Sequence, residues 1–343
     1  MTRSASSRGA HGRLFATSTY AVLCIAGVAS HEGALGNDAI SEYRATGRLL
    51  SKGVLPRAEV ESVSTILHSL LQDNGRKAFG DDSGRKEVRF TFAVHELNET
   101  VAAFVADPGC PLWQLAAKLA GTAELCLLMD RGFSKDPGDK ETHWHRDDEA
   151  IGLPTLFPGM RTVHAWIPLS AMGTEWGTLQ YLLGSHQQSH SWVQRTLAAL
   201  WGWEFMWFMT SPKVQDDNLD LGDIAWHDGW TLHSAGANSA GFVRHGLAVS
   251  FAYCPQAGGC GGAEGRRSST DVTCRAADTL FDEGWRARHR RGEEDYAKTY
   301  LGDSFSVRAG RFLLRSAFGA VAGFVVHAAF VRVTSPTAKA KAA

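Results

Sequence analysis

Along residues 57–73 the apolar positions Val60, Val63, Ile66, Leu67 and Leu70 recur at intervals of three and four behind Pro56. That spacing gathers them on one face of a helix, and proline suits the position just before a first turn, so an amphipathic helix is predicted there. Residues 52–55 form a short apolar lead into it. Beyond this helix the period changes. The runs 88–95, 124–133, 161–169, 178–183 and 244–253 are rich in β-branched, aromatic and leucine residues, and Gly138, Gly159, Gly173, Gly177, Gly184, Gly222 and Gly236 fall between them. Short strands punctuated by turns and preceded by a helix predict a mainly β chain, a sandwich or barrel core with a helical flank. Residues 255–310 are polar and rich in Gly and Arg, and read as loops around at most one helix.

Composition narrows the partners. Lys and Arg number 35 against 36 Asp and Glu, a formal net charge of −1, so no basic field gathers phosphate backbones and nucleic acid is not an expected partner. Charged residues at 21% and 36 glycines exclude a long charged coiled coil and a wholly disordered chain. Residues 1–31 carry Arg3, Arg8 and Arg13 but no acid, and run into the apolar stretch 20–29 with Val28 and Ser30 at cleavage-compatible positions. This is the shape of a signal peptide, and the Ser and Arg content also suits an organelle transit peptide. A targeting segment over 1–35, a location in the secretory pathway or an organelle, and a folded domain over 36–310 are therefore expected. In the remaining segment, 311–343, the stretch 316–330 is apolar except for His327. As a helix it rises only about 23 Å, short of the roughly 30 Å hydrocarbon core, so a packed or interfacial helix is expected, with membrane association as the alternative. Of the 6 cysteines, Cys24 falls in the leader, leaving Cys110, Cys126, Cys254, Cys260 and Cys274 without any CxxC zinc spacing. Two readings stand: buried free thiols, or a Cys254–Cys260 loop bridge if the chain enters an oxidising compartment.

Candidate chemistry is concentrated in two places. Residues 142–148 read Thr-His-Trp-His-Arg-Asp-Asp. On an extended backbone His143, His145 and Asp147 share one face while Trp144, Arg146 and Asp148 share the other, so one face carries imidazole and carboxylate side by side, able to hold two adjacent positions around a divalent metal. The second place is 222–245. His233 ends an extended run, Gly236 and Asn238 supply a turn, and the chain returns as an antiparallel strand from Arg244, bringing a guanidinium back beside His233. Two His and one carboxylate leave three positions of an octahedral ion open, and a nearby Arg can pair bidentately with the far carboxylate of a dicarboxylic cosubstrate.

With these residues in view, the chain resembles the phytanoyl-CoA dioxygenase-like family of Fe(II)/2-oxoglutarate oxygenases from about Tyr43 to Ala252. The matching stretches are Tyr43-Arg-Ala-Thr-Gly-Arg-Leu-Leu-Ser-Lys-Gly-Val-Leu, Lys135-Asp-Pro-Gly, Trp144-His145-Arg146-Asp147, Trp166-Ile-Pro-Leu, Gly177-Thr-Leu-Gln-Tyr-Leu-Leu-Gly-Ser-His186, Gly222-Asp223, and His233 followed by Arg244. The resemblance implies a double-stranded β-helix, a jelly-roll or cupin-like core. It implies Fe(II) on His145, Asp147 and His233 as the catalytic centre, 2-oxoglutarate anchored by Arg244 with Trp166 and Lys135 beside it, O2 as co-reactant and ascorbate as a candidate reductant. The reaction it implies is oxidative decarboxylation of 2-oxoglutarate to succinate and CO2 coupled to attack on a substrate C–H bond. Hydroxylation of a small apolar or lipid-like metabolite is the default outcome, since Asp147 fills the position a halide would need. Arg146 departs from the Gln many members carry, and by alternation it should face away from the metal. His245, directly after the cosubstrate Arg, is a second departure.

Blander roles are expected elsewhere. His143 should face solvent or stand behind the ligands, Asp148 should be a surface or turn acid, and Ser185 and His186 should bond turn backbone. His227 and Asp228 read as a local polar pair. The Trp-rich insert between His186 and Gly222 is longer than the family leads one to expect, and its aromatic stretch 192–209 reads as packing or as a lid over an apolar substrate. Arg266, Arg267, Arg286, Arg288, Arg290 and Arg291, offset by Asp282, Glu283, Glu293 and Glu294, read as a solvated face, with a phosphorylated carrier such as coenzyme A as the sharper alternative. Rival functions are a metallo-hydrolase built on His143, His145, Asp147 and Asp148, and a non-catalytic β-helix binding module.

Overall fold

The structure, a computed structural model, describes residues 35–255 except 75, 79–87, 152, 154–156, 158, 188 and 189, together with Cys260 and Cys274. The expected leader, the arginine-rich stretch after 260 and the apolar segment 316–330 lie outside the described residues, as does the proposed boundary at 310. Among the described residues, no helix is long and apolar enough to cross a membrane.

The predicted helix forms α2 (Arg57–Asn74), preceded by α1 (Asn37–Thr46) and β1 (Arg48–Ser51). After the short β2 (Arg76–Ala78), the expected strand 88–95 stops early as β3 (Val88–Phe92), because Ala93 turns into the left-handed region at φ 52° and Val94–Glu96 makes one tight helical turn. Two helices follow that were not among the predicted elements. The first is α3 (Glu99–Ala106), whose Asn98 side chain accepts from the Thr100 and Val101 amides. The second is α4 (Pro111–Ala120), opened by Pro and closed by Gly121. Helix α4 buries Leu112, Trp113, Leu115 and Leu119, and Trp113 meets Phe251 edge-on at 5.2 Å between ring centroids.

The strands β4 (Cys126–Lys135), β5 (Thr142–His145), β6 (Arg161–Pro168), β7 (Leu179–Leu182), β8 (Lys213–Gln215), β9 (Ile224–Asp228), β10 (His233–Ala235) and β11 (Arg244–Tyr253) make the core. They divide between two antiparallel sheets, one ordered β1-β9-β6-β11-β4-β3-β2 and the other β5-β10-β7-β8, and all but β7 and β8 switch sheets from one strand to the next. This is the double-stranded β-helix expected from the sequence. Alternation along β6, β9 and β11 sends Val163, Ala165, Ile167, Ile224, Trp226, Leu247, Val249 and Phe251 to the outer face, where they join the helices in one buried cluster. Each buried Val, Leu, Ile or Phe among them contributes about 1.5–3 kcal/mol of burial. The opposite side chains, including His164, Trp166 and His227, face the smaller sheet, and the site lies between the two sheets.

One topological expectation is corrected. His233 opens β10 rather than ending a run, and β10 pairs with β5 and β7, not with β11. The chain crosses from the small sheet to the large one between His233 and Arg244, which pairs with Lys135 of β4. The Arg reaches the site by facing it from the other sheet, since a jelly roll closes by switching sheets at its corners. The aromatic insert folds as α6 (Trp192–Trp201) and α7 (Trp203–Thr210), after the single turn α5 (Asp147–Ala150). Ser191 caps α6 in a reciprocal box with Gln194.

Of the two cysteine readings, the bridge Cys254–Cys260 is present. A second disulfide joins Cys126, at the start of β4, to Cys274 across a separation of 148 residues, which no sequence spacing signals. Cys110 is a buried free thiol whose sulfur accepts from the Trp113 amide at the start of α4.

Candidate metal and cosubstrate site

His145 ends β5, Asp147 opens α5 and His233 opens β10, and the β5–β10 register places His145 directly opposite His233. Their rings lie 4.3 Å apart between centroids. One donor atom from each of the three residues falls within 4.8 Å of the others. Asp147 Oδ1 is 3.7 Å from His145 Nε2, and Asp147 Oδ2 is 3.7 Å from His233 Nε2. The outer nitrogens are committed: His145 Nδ1 bonds the His143 carbonyl at 2.7 Å and His233 Nδ1 bonds the Thr231 carbonyl at 3.0 Å. A carbonyl only accepts, so both Nδ1 atoms carry the proton and both Nε2 lone pairs turn toward Asp147. Two imidazoles oriented by their Nδ1 hydrogen bonds and one carboxylate fit a divalent ion.

Electrostatics agree with that fit. Burial, reinforced by His227 and His145, pushes the His233 imidazole well below its ordinary value, keeping it neutral. Burial pushes the Asp147 carboxyl up, but His164, His233, the hydrogen bond from His227 and Arg131 outweigh it and hold the group well below the usual carboxylate range.

Arg244 is buried, and burial alone lowers it to about 10, so it stays cationic at neutral pH. One terminal nitrogen donates to the Gly177 carbonyl and its Nε has no partner among the described residues. No carboxylate among the described residues pairs with it. A buried cation in that state is a receptor for an anion. Trp166 lies under it, with the guanidinium carbon 5.4 Å from the ring centroid. Two glycines permit this arrangement. A Cβ on Gly246 would come within 2.7 Å of the Trp166 ring, and Gly177, at φ 73°, packs so tightly on Gly236 that a Cβ would sit 2.2 Å from its carbonyl oxygen. Lys135 is fully buried and donates from Nζ to the Gly236 carbonyl at 2.8 Å, with the Thr142 hydroxyl at 3.4 Å. It braces the corner between the sheets next to Arg244.

Several local expectations hold and two are revised. Arg146 turns away from the donors, with its Nε on the Trp230 carbonyl at 2.9 Å, and His143 is exposed. Ser185 donates to the Leu182 carbonyl and accepts from the Leu232 amide, a turn role, and His186 bonds the Arg44 carbonyl. Asp148, however, is fully buried rather than a surface acid. The extended backbone stops at His145, and the helical turn of α5 swings Asp148 inward, where Thr162 Oγ1 donates to it. His143 and Asp148 therefore do not join the donor set. His227 and Asp228 are not a pair either. Asp228 accepts two bonds of 2.8 Å from Arg161, while His227 Nε2 lies 3.1 Å from Asp147 Oδ2. His164, the register partner of His227 on β6, stands 3.2 Å from the same oxygen. These two histidines are the residues that sequence reasoning missed. The available signal was a histidine at an inward position of each of two otherwise apolar strands.

Comparison with known proteins places this geometry in a family. Residues 43–246 match the family model described as phytanoyl-CoA dioxygenase (PhyH). No curated protein matches the chain significantly. Among solved structures, the chain is similar to the non-heme α-ketoglutarate-dependent carbocyclase SnoK of nogalamycin biosynthesis, at 24% identity and a TM-score of 0.51, covering 64% of this chain and 86% of that one. It is also similar to the α-ketoglutarate-dependent epimerase SnoN of the same biosynthesis, at 22% identity and a TM-score of 0.52, covering 67% and 92%. EctD from S. alaskensis with bound Fe is 19% identical at a TM-score of 0.51, covering 63% and 76%. These likenesses establish the shared fold, and the family match, which spans more than half the sequence, shows that the chain belongs to the phytanoyl-CoA dioxygenase (PhyH) family of Fe(II)/2-oxoglutarate-dependent oxygenases.

Proposed function

We propose that the protein is an Fe(II)- and 2-oxoglutarate-dependent dioxygenase that hydroxylates a small apolar or lipid-like metabolite and releases succinate and CO2. The observation that carries the proposal is the pairing of a donor set, His145 Nε2, Asp147 and His233 Nε2, with a buried Arg244 that has no acidic partner among the described residues. Fe(II) with 2-oxoglutarate and O2 would supply the oxidative decarboxylation and the oxygen inserted into a C–H bond, with ascorbate as a reductant outside the cycle. The chain's own part is positional. His145, Asp147 and His233 would hold the ion, and a three-residue donor set would leave room on it for cosubstrate and O2. Arg244 binds the distal carboxylate of 2-oxoglutarate, Trp166 shields that ion pair from water, and Lys135 fixes the corner that carries them.

The apolar character of the substrate is supported by α6 and α7. Trp207 is buried with Leu182 and Leu232 on the face of the small sheet away from His233, while Trp192, Trp203, Phe208 and Met209 remain exposed and supply the apolar surface. Hydroxylation is the default outcome because the carboxylate ligand is present. The solved neighbours include a carbocyclase and an epimerase on the same fold, so substrate placement decides the product. An oxidising compartment belongs to the same reading and is supported by the two disulfides.

Anaerobic addition of Fe(II) and 2-oxoglutarate tests the core of this proposal. A weak visible charge-transfer band should form, as bidentate chelation requires, and His145→Ala and His233→Ala should abolish it with loss of the ion. Full metal occupancy in both variants would remove the proposal. Screening lipids and small metabolites for stimulated succinate release then identifies the substrate.

A further inference from the structure

Behind the metal ligands lies a buried polar row that the proposed chemistry does not use. His227 of β9, His164 of β6 and Ser250 of β11 are successive register partners across the large sheet. His227 and His164 are stacked, with ring centroids 5.0 Å apart and planes 10° from parallel. All three side chains are buried. His227 Nε2 bonds Asp147 Oδ2 at 3.1 Å, and His164 Nδ1 lies 3.2 Å from that oxygen and 2.8 Å from Ser250 Oγ. On its other side His164 Nε2 is 2.6 Å from Thr162 Oγ1, whose hydroxyl reaches Asp148.

Asp147 needs such support more than its fellow ligands do. His145 and His233 sit on paired strands with their outer nitrogens bound to backbone, whereas Asp147 stands on a single helical turn beyond the strand. A carboxylate is an acceptor only, so the proton of the 3.1 Å bond belongs to His227 Nε2. With Oδ2 held in that bond, the carboxylate would present Oδ1 to the ion.

We infer that His227, braced by the stacked ring of His164, is a positioning residue that fixes the metal-binding orientation of Asp147. The inference rests on the metal assignment above and deepens it. An alternative use of the same atoms is a second metal, since Asp147, His164 and His227 also bring donor atoms within 4.8 Å of one another. Charge argues against it: one carboxylate would be shared between two dications, and both nitrogens of His164 already have hydroxyl partners.

Titration of the metal-stripped full chain with Co(II), followed by its d–d absorption and checked by thermal melting, tests the inference without turnover. Wild type should bind one Co(II) per chain. His227→Leu should weaken binding by about 10- to 100-fold and move the d–d bands, because the carboxylate is released. His227→Gln keeps an N–H donor at a similar reach and should recover most of the loss and the wild-type bands. Should the leucine variant not fold, His227→Met removes the same donor with a softer side chain. Wild-type affinity and bands in a folded donor-free variant would overturn the inference while leaving the metal assignment in place. So would a Gln variant as defective as the donor-free one, or two Co(II) per chain. A His145→Ala control that binds Co(II) as wild type does would overturn the metal assignment, and the inference with it.

Discussion

Arg244 is the single residue at which the proposed cosubstrate binding can be separated from metal binding. It touches none of the three donors, so Arg244→Ala should leave iron in place. It should also weaken 2-oxoglutarate by at least about 1.5–3 kcal/mol, the worth of a charged hydrogen bond, and by more if the buried site excludes water. Titrating the charge-transfer band with 2-oxoglutarate measures this directly. Arg244→Lys should restore only part of the affinity, because an ammonium lacks the planar fork and cannot lie on Trp166 with its Nε beside the cosubstrate. Unchanged affinity in Arg244→Ala would move the anchor to another cation. At this scale the three donors and Arg244 were legible in the sequence, since each sits in a short motif. Asp148 was not: whether it turns out or in depends on where the strand gives way to a helical turn, and the β-helix sets that point.

At the scale of elements, α6 and α7 show the packing role that the aromatic stretch suggested, and the lid role can be tested on their exposed side chains. Trp207 is 4% exposed within an apolar cluster beside Leu232, whereas Trp203 is 45% exposed. The two tryptophans should therefore part company on substitution. Trp207→Ala should cost about 3–5 kcal/mol and lower the melting temperature of the protein. Trp203→Ala should leave melting nearly unchanged, and if the helices cover the substrate it should raise substrate KM or uncouple succinate release from product formation. Thermal melting and coupled turnover on both variants check this, and equal destabilisation by the two would reduce the pair to packing.

For the whole molecule, pH and redox state should act on stability in predictable directions. His233 and His227 are buried and both are pushed below their ordinary value by burial, so in the folded metal-free protein they stay neutral while the unfolded chain takes up protons below about pH 6.5. The unfolded state then binds more protons, and stability falls as pH falls. Each such histidine contributes a loss of up to about 1.4 kcal/mol per pH unit below that point. Melting of the metal-free protein at pH 7.5 and 5.5 should show a lower temperature at 5.5, and added Fe(II) or Co(II) should protect less at the lower pH because protons compete for Nε2. Reduction should act separately. The Cys126–Cys274 bridge closes a long loop onto the first residue of β4, so breaking it should cost about 2–4 kcal/mol. Thiol counting under denaturing conditions before and after reduction, paired with melting, tests both the bridges and their effect.

The sequence by itself determined the amphipathic α2 and the main runs of β4, β6, β7 and β11, and it picked out the donor residues that the fold brings together. It did so because helix and strand periods, turn glycines and ligand spacings are properties of neighbouring residues. Helix α4 carries its own period, with Leu112, Leu115, Ala116 and Leu119 at helical spacing between Pro111 and Gly121, and was readable there; the early end of β3 was not, since the left-handed turn at Ala93 is set by its surroundings. Only the tertiary structure decided that β10 and β11 lie in different sheets, that Cys126 meets Cys274, and that His227, His164 and Ser250 line up behind Asp147. Those pairings are fixed by strand order and register between segments far apart in the chain, which no local spacing encodes.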